Sequence, residues 1–143
     1  MNWIQNLIPN KNGFLEGAAP ETIMEVEEKL KITFPERHKE FLMWIDGGKL
    51  SPEYIIYSAG NGIHPSETLL SANWNRDAGV PFFFIAREAG EEFVFRFEDM
   101  NQADPPVYIY LHESETIQKV SDSFVQFIKQ VMRIRQLHKN SFS

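Results

Sequence analysis

The sequence predicts an α+β domain in which an antiparallel β-sheet meander is flanked by N-terminal helices and a C-terminal helix. Apolar residues recur with a helical period up to about residue 46 and again after residue 122, whereas short runs between 53 and 111 follow the period of two of a β-strand. Glycine and proline punctuate the segments. The 143 residues fit one domain. We expect residues 1–137 to be the folded unit and 138–143 to be a flexible tail.

Three helices are predicted before residue 46. Residues 3–8 carry apolar side chains at helical spacing, and Pro9 ends this short helix. A second helix is expected from Pro20, which suits the first position of a helix, to about Lys31. Pro35 can open a third helix, which should end at a left-handed glycine just after residue 46. The inner stripe of the third helix is predicted to be His38, Phe41, Leu42 and Ile45.

Short β-rich runs follow the helices, and each is bounded by glycine, proline or small polar residues. The segment 58–79 is expected to be mostly loop, with a turn of helix around 66–73. Residues 87–91 are expected to form a hairpin turn between two strands. The predicted strands are 53–57, 80–86, 92–98 and 107–111.

Aromatic residues mark the core side of the predicted sheet and of the last helix. Phe93, Phe95 and Phe97 occupy alternate positions, which indicates that they face the core and that the residues between them face solvent. A closing helix is expected at 122–137. Its inner stripe is predicted to be Phe124, Phe127, Ile128, Val131, Ile134 and Arg135.

Composition excludes several chemistries. There is no cysteine, which excludes disulfide scaffolds, cysteine-ligated metal sites and thiol nucleophiles. The formal net charge of −6 disfavours direct binding of nucleic acid, because such binding requires lysine and arginine to neutralise phosphates. The same charge favours encounter with a basic protein. The alternative interpretation is that the charge only promotes solubility. We expect a soluble, cytoplasmic protein, because neither a secretory signal pattern nor a long apolar run is visible.

Catalytic and metal-binding patterns are incomplete. None of the histidines has the i, i+4 partner of a helical zinc site. His38 is expected to be half-buried with one hydrogen-bonded ring nitrogen, and the His-Glu-Ser-Glu run at 112–115 is expected to be a surface turn. The acid pairs at 91–92 and 98–99 could serve glycoside hydrolysis, but acids at turns of an acidic protein are expected to be solvated. We therefore expect no enzymatic activity, cofactor or metal.

One set of motifs occurs in the same order as in a known protein family. The motifs are Ile23-x-x-x-Glu27-x-x-Leu30-x-x-x-Phe34-Pro35-x-x-x-x-x-Phe41-Leu42-x-x-x-Asp46-Gly47-Gly48, Phe82-Phe83-Phe84-Ile85-Ala86-Arg87-Glu88-Ala89-Gly90, Val107-Tyr108 and Ser121-x-Ser123-Phe124-x-x-Phe127-Ile128. Over residues 16–132 they resemble the SUKH superfamily, which includes fungal cell-wall-assembly and glucan-synthesis regulators and many bacterial immunity proteins. The sequence departs from the pattern at His38, where an aromatic residue is common, and at Asp46, where asparagine often stands.

The resemblance implies a SUKH-like fold that serves as a protein-binding scaffold. It implies an immunity protein that neutralises a polymorphic toxin, often a nuclease, by direct binding, and a basic toxin domain is the expected partner. An intracellular regulatory or scaffolding module similar to the glucan-synthesis regulators is the alternative, and an enzyme is a third hypothesis. We expect a monomer or a weak dimer that has no contact with a membrane.

The partner is expected to bind on the loop-rich side of the domain, formed by 46–51, 58–79 and the hairpin tip at 88–92, because recognition commonly resides on loops held by a rigid frame. The expected contact residues are Tyr54, Tyr57, Trp74, Glu88, Glu91 and Glu92. Three further residues, Pro35, Gly47 and Gly48, are expected to be structural.

Overall fold

Helices come first along the chain, a β-sheet follows, and one long helix closes it. The computed structural model describes residues 3–50, 54–60, 62, 64–74 and 80–141. Its elements are α1 (Trp3–Leu7), α2 (Pro20–Leu30), α3 (Glu36–Trp44), β1 (Gly48–Lys49), β2 (Tyr54–Ile56), a 3₁₀-helix (Pro65–Glu67), α4 (Leu69–Asn73), β3 (Phe82–Glu88), β4 (Glu91–Arg96), a second 3₁₀-helix (Phe97–Asp99), β5 (Val107–Leu111), β6 (Thr116–Ser121) and α5 (Phe124–Ser141). This order confirms the predicted α+β class.

The prolines place the N-terminal helices where the sequence predicts them. Pro20 is the first residue of α2, which ends where Lys31 takes the left-handed conformation at φ 57°. Pro35 precedes the first residue of α3. The predicted glycine cap is wrong, because α3 ends at Trp44 and the extended Ile45 follows it. Gly48 is instead the first residue of β1, and Gly47 lies immediately before it.

The sheet is a meander in the part of the chain that the structure describes. Its six strands lie in the order β1 to β6, and each pair of neighbours is antiparallel. The antiparallel prediction is therefore confirmed. Strands β1 and β6 were not predicted from the sequence, and they form the two edges of the sheet.

Both faces of the central strands are buried, which corrects the prediction of one solvent-exposed face. Phe83 and Phe95 are register partners on the face that α3 and α5 cover, since the Phe95 ring lies 5.7 Å from that of Phe124 in α5. On the opposite face Phe84 pairs with Val94, and both are at most 1% exposed. Phe97, predicted to face the core, is 48% exposed because the strand ends and a 3₁₀-helix begins there.

His38 lies in the centre of the core, and this position corrects the prediction of a half-buried histidine. Its side chain is 0% exposed, and neither ring nitrogen has a hydrogen-bond partner among the residues that the structure describes. The rings of Phe34, Phe95 and Phe124 surround it at centroid distances of 5.4, 5.4 and 5.1 Å. Burial lowers the pKa of His38 from 6.5 to about 3, so the imidazole is neutral in the fold.

The closing helix α5 is longer than the sequence predicts. It continues to Ser141, whereas the prediction ends it at Leu137. Its first turn is capped by Asp104, whose Oδ1 accepts the Val125 N–H at 3.0 Å. Further along, Arg135 donates to the Leu50 carbonyl at 2.8 Å and ties the helix to the segment after β1. No helix in the described ranges combines the length and the hydropathy of a membrane span.

Candidate functional site

A buried aspartate fixes the first loop on the loop-rich side. Asp46 follows α3 and is 7% exposed. Its Oδ1 accepts the Ala59 N–H at 2.7 Å and its Oδ2 accepts the Gly60 N–H at 2.9 Å. Burial raises the pKa of Asp46, and the two backbone hydrogen bonds act in the opposite direction by favouring the carboxylate. The loop after β2 is thereby attached to the end of α3.

The three residues predicted to be structural occupy restricted positions. Pro35 is buried and lies immediately before α3. Gly47 has a φ of +71°, and a Cβ on it would lie 2.5 Å from the Ile56 carbonyl oxygen. Gly48 has a φ of +96°, and a Cβ there would lie 3.2 Å from the Leu15 side chain. Both glycines therefore permit a backbone conformation and a close approach that other residues would strain.

Residues 64–74 contain the first 3₁₀-helix and α4, and we call this segment the ridge. Thr68 caps α4 within it, since its Oγ1 accepts the Ser71 N–H at 3.0 Å. Thr68 also forms a β-bridge with Ser58. Asn73 holds the other end, because its side chain donates to the Phe84 carbonyl at 2.9 Å and accepts the Phe84 N–H at 2.8 Å. The ridge is thus joined near its middle to the segment after β2 and at its C-terminal end to β3.

The first concave surface, which we call the polar cleft, lies between the ridge and the β3–β4 hairpin. Tyr57 donates from its hydroxyl to Glu92 Oε2 at 3.2 Å, and His112 Nε2 lies 3.2 Å from Glu92 Oε1. Arg87 lies 3.6 Å from the Glu67 carboxylate. The charged side chains of this cleft therefore form hydrogen bonds and ion pairs with neighbouring side chains. The cleft is lined by Tyr57, Ser66, Ser71, Ala72, Arg87, Gly90 and Glu92.

The second concave surface, which we call the apolar groove, lies between the other side of the ridge and α2. Its volume is about 780 Å³. Val26 and Ala59 are buried and contribute to its floor, whereas Trp74 is 58% exposed at the end of the ridge. The groove is lined by Thr22, Glu25, Val26, Lys29, Ala59, Gly60, Pro65, Thr68, Leu70, Ser71 and Trp74.

The outer face of α2 borders the groove and is acidic. Glu21, Glu25 and Glu28 are exposed. No basic side chain among the described residues lies within ion-pair distance of their carboxylates. Met24, on the same face, is 64% exposed. The sequence analysis did not single out this face. In the sequence these glutamates stand four and three residues apart, a pattern that a solvated helix face also shows.

Three of the six predicted contact residues lie on the helix-covered side of the sheet. Tyr54 pairs with Glu88, which pairs with Glu91 across the hairpin. The Tyr54 ring stacks on that of Phe93 at 5.7 Å. All three predicted residues line a pocket beside α5 that also includes Ile134.

The other three predicted contacts lie around the ridge. Tyr57 is only 3% exposed, so it belongs to the floor of the polar cleft and not to an open surface. Glu92 lies in the same cleft and accepts the Tyr57 hydroxyl, whereas Trp74 stands at the end of the ridge. Of the six, Trp74 is the large apolar side chain that the structure leaves exposed.

The His-Glu-Ser-Glu run at 112–115 follows β5 as a turn, as predicted. His112 contacts Glu92, and no group of three or more potential ligands capable of holding a metal ion occurs within the described ranges. Of the acid pairs weighed for glycoside chemistry, Asp99 is buried and accepts two hydrogen bonds from Arg96, while Glu98 is exposed. These contacts stabilise the turn after β4.

The fold and the ridge together define an α+β protein built on a sequential antiparallel meander with helices packed against it. A model of the SMI1 / KNR4 family (SUKH-1) matches residues 17–130, and the chain belongs to that family. This match confirms the resemblance drawn from the sequence, and it spans the ridge and both concave surfaces. The family includes immunity proteins and KNR4-like regulators. A comparison with curated proteins found none that matches the chain.

Proposed function

We propose that this protein is a non-catalytic binding protein that acts as an immunity protein and neutralises a toxin, such as a nuclease, by direct contact. The observation that carries the proposal is the ridge, a short segment bridged to Ser58 at Thr68 and bonded to β3 at Asn73, which presents Trp74 with 58% of its surface exposed. Tryptophan is among the residues that dominate binding energy at protein interfaces. A ligand of protein size could cover the ridge and both concave surfaces at once.

The charge of the chain supports a basic partner. The formal net charge is −6, and the exposed glutamates of α2 add to the negative potential beside the ridge, with no ion pair to a basic side chain among the described residues. Opposite charges accelerate association and make its rate depend on salt concentration. A basic toxin domain, as expected of enzymes that bind nucleic acid, fits this surface.

Neutralisation by contact requires no bond to be made or broken. The binding protein needs only to cover the active site of the toxin, or a surface next to it, for longer than the toxin needs to act. Membership of a family that includes immunity proteins is consistent with this mechanism. Colicin DNases and their immunity proteins, which are among the tightest complexes known, provide a physical precedent for the proposed mode of action.

The proposal is tested by affinity capture of the tagged protein from its own source cells and their secreted material, followed by mass spectrometry. We expect a basic, toxin-like domain to be retained stoichiometrically. Expression of that domain should inhibit growth, and co-expression of this protein should relieve the inhibition. Retention of a housekeeping enzyme or a cell-envelope factor, with no protection of growth, would contradict the proposal and favour the regulatory alternative.

A pair of variants tests whether the ridge is the contact. Trp74→Ala is expected to weaken binding of the captured toxin by about thirtyfold or more, which corresponds to the loss of about 2 kcal/mol that defines a hot spot. Ile134→Ala is the matched control, because Ile134 is 42% exposed on α5 beside Tyr54 and Glu88. If Ile134→Ala has the larger effect, the contact lies on the helix side of the sheet.

A further inference from the structure

We infer that the apolar groove and the outer face of α2 together bind a basic amphipathic segment of the partner. In this arrangement an apolar side chain of the segment enters the groove against Trp74, and flanking lysines or arginines meet Glu21 and Glu25. The inference rests on the proposed function for the identity of the partner. The inference goes further than the proposed function because it specifies which surface binds the partner and the chemistry of the segment that occupies the groove.

The shape of the groove favours insertion of apolar side chains. A volume of about 780 Å³ lies within the ~300–1,000 Å³ range of pockets that bury drug-sized groups. Val26 and Ala59 offer an apolar floor, and Leu70 and Trp74 belong to the wall formed by the ridge. Because Trp74 is 58% exposed, a group that covers it removes a large apolar surface from water.

The charges beside the groove select a basic segment. Glu21, Glu25 and Glu28 recur along one side of α2 at spacings of four and three residues, and this side also presents the exposed Met24. Glu25 belongs both to this acidic side and to the lining of the groove, so the apolar and acidic surfaces are continuous. Lys29, four residues after Glu25, also lines the groove, so one cation lies at the border of the acidic side formed by Glu21, Glu25 and Glu28. A cation next to an inserted apolar side chain therefore finds its complement on α2.

A second copy of this chain is a poorer occupant than a basic partner. In a symmetric dimer the same patch contacts itself, so the acidic face of one α2 would lie against that of the other. Like charges brought together at an interface cost free energy. An amphipathic segment laid in a groove is, by contrast, a common mode of recognition, and it uses apolar anchors at helical spacing.

The inference can be tested without the natural partner. The probe is a synthetic helical peptide of leucine and lysine with one apolar face, compared with the same peptide carrying glutamate in place of lysine. We expect the lysine peptide to bind, to shift the tryptophan emission to shorter wavelength and to protect it from acrylamide. Trp3 and Trp44 are partly buried with their indole N–H groups hydrogen-bonded, so Trp74 supplies this change and Trp74→Phe should abolish it.

Two charge-reversal variants distinguish binding of the peptide in the groove from non-specific electrostatic attraction to the acidic protein. Glu25→Lys and the control Glu113→Lys change the net charge equally, and Glu113 is exposed in the turn between β5 and β6. We expect Glu25→Lys to weaken binding of the lysine peptide about tenfold or more and Glu113→Lys to have less than a threefold effect. Equal effects of the two variants, or equal binding of the glutamate peptide, would overturn the inference.

The same variants separate failure of the inference from failure of the proposed function. If Glu25→Lys still neutralises a toxin as well as the unaltered protein does, the groove is not the seat of the contact and the immunity function stands. If the peptide binds the groove as expected but the protein protects against no captured toxin, the binding site stands and the immunity function is wrong.

Discussion

Replacing His38 by phenylalanine is expected to remove a large part of the acid sensitivity of the fold. The side chain is 0% exposed, and its two ring nitrogens have no hydrogen-bond partner among the described residues. The aromatic rings around it offer no group that could stabilise a charged imidazolium by hydrogen bonding. A proton on this ring would be a buried, unpaired charge, which is among the most costly states in a protein interior.

The magnitude follows from the pKa values of the two states. Burial lowers the pKa of His38 from 6.5 to about 3 in the folded protein. The unfolded chain therefore binds more protons at every pH below about 6.5, and the free energy of unfolding falls as the pH decreases from that value toward 3. Integrated from pH 7 to pH 5, this one residue removes about 2 kcal/mol of stability. The loss is absent above pH 7, where both states hold the neutral ring.

The assay is urea-induced unfolding of the unaltered protein and of His38→Phe at pH 7 and at pH 5. The absolute stability at pH 7 does not decide the matter, because the phenylalanine ring removes two unpaired nitrogens but also adds volume to a packed core. The deciding quantity is the change between the two pH values, in which the packing difference cancels. We expect the unaltered protein to lose about 2 kcal/mol more than the variant does.

Two further variants make this comparison stringent. His38→Leu should lose the same pH dependence as His38→Phe although it packs differently. His64→Gln, which replaces an exposed histidine in the loop before the first 3₁₀-helix, should retain the pH dependence of the unaltered protein. An identical loss of stability in acid for the unaltered protein and for His38→Phe would refute the reasoning that His38 stays neutral in the fold.

The remaining predictions concern the contacts that hold the candidate site. Asp46→Ala should lower the free energy of unfolding in urea by about 1–3 kcal/mol, because the N–H groups of Ala59 and Gly60 lose their acceptor. Gly47→Ala should cost more than Gly90→Ala in the same assay: both glycines have positive φ, but a Cβ at Gly47 meets the Ile56 carbonyl and a Cβ at Gly90 meets nothing within 4 Å. Asn73→Ala should raise the rate of amide hydrogen exchange at Phe84, whose N–H donates to the Asn73 side chain.

The sequence predicts the elements that have strong local signals. Pro20 and Pro35 fix the starts of α2 and α3 because their rings preset a helical φ and their missing N–H groups are not needed there. The edge strands lack such signals. β1 has two residues and exists through the pairing of Gly48 with Ile56. Three of the six residues of β6 are exposed and only Ser121 is buried, so its sequence carries little of the apolar alternation that marks a strand.

The complete burial of His38 without hydrogen-bond partners among the described residues could not be predicted from helical periodicity. The helical spacing correctly places it on the inner stripe of α3. Whether its nitrogens find partners depends on which residues of the sheet and of α5 lie opposite, and these are Phe83, Phe95 and Phe124. Such partners come from distant parts of the chain, so local spacing holds no information about them.

The predicted contact residues lie on two sides of the sheet, for a reason that lies in strand geometry. Trp74 lies exposed at the end of the ridge. Tyr54 and Tyr57 are both expected on the loop-rich side, yet positions three apart in an extended chain point to opposite faces. The acidic face of α2 was missed because the polar face of an amphipathic helix has the same composition whether it contacts water or a partner.

The hydrogen bonds of the site have a consequence for binding as well as for stability. Asp46 fixes the loop at residues 59 and 60, Thr68 bridges to Ser58, and Asn73 fixes the end of the ridge to β3. Trp74 is therefore carried by a segment whose backbone is already ordered before a partner arrives. Association then loses less conformational entropy than it would if the ridge had to be ordered on binding. If a partner binds Trp74 as proposed, Asp46 and Asn73 would contribute to affinity through the position that they impose on Trp74.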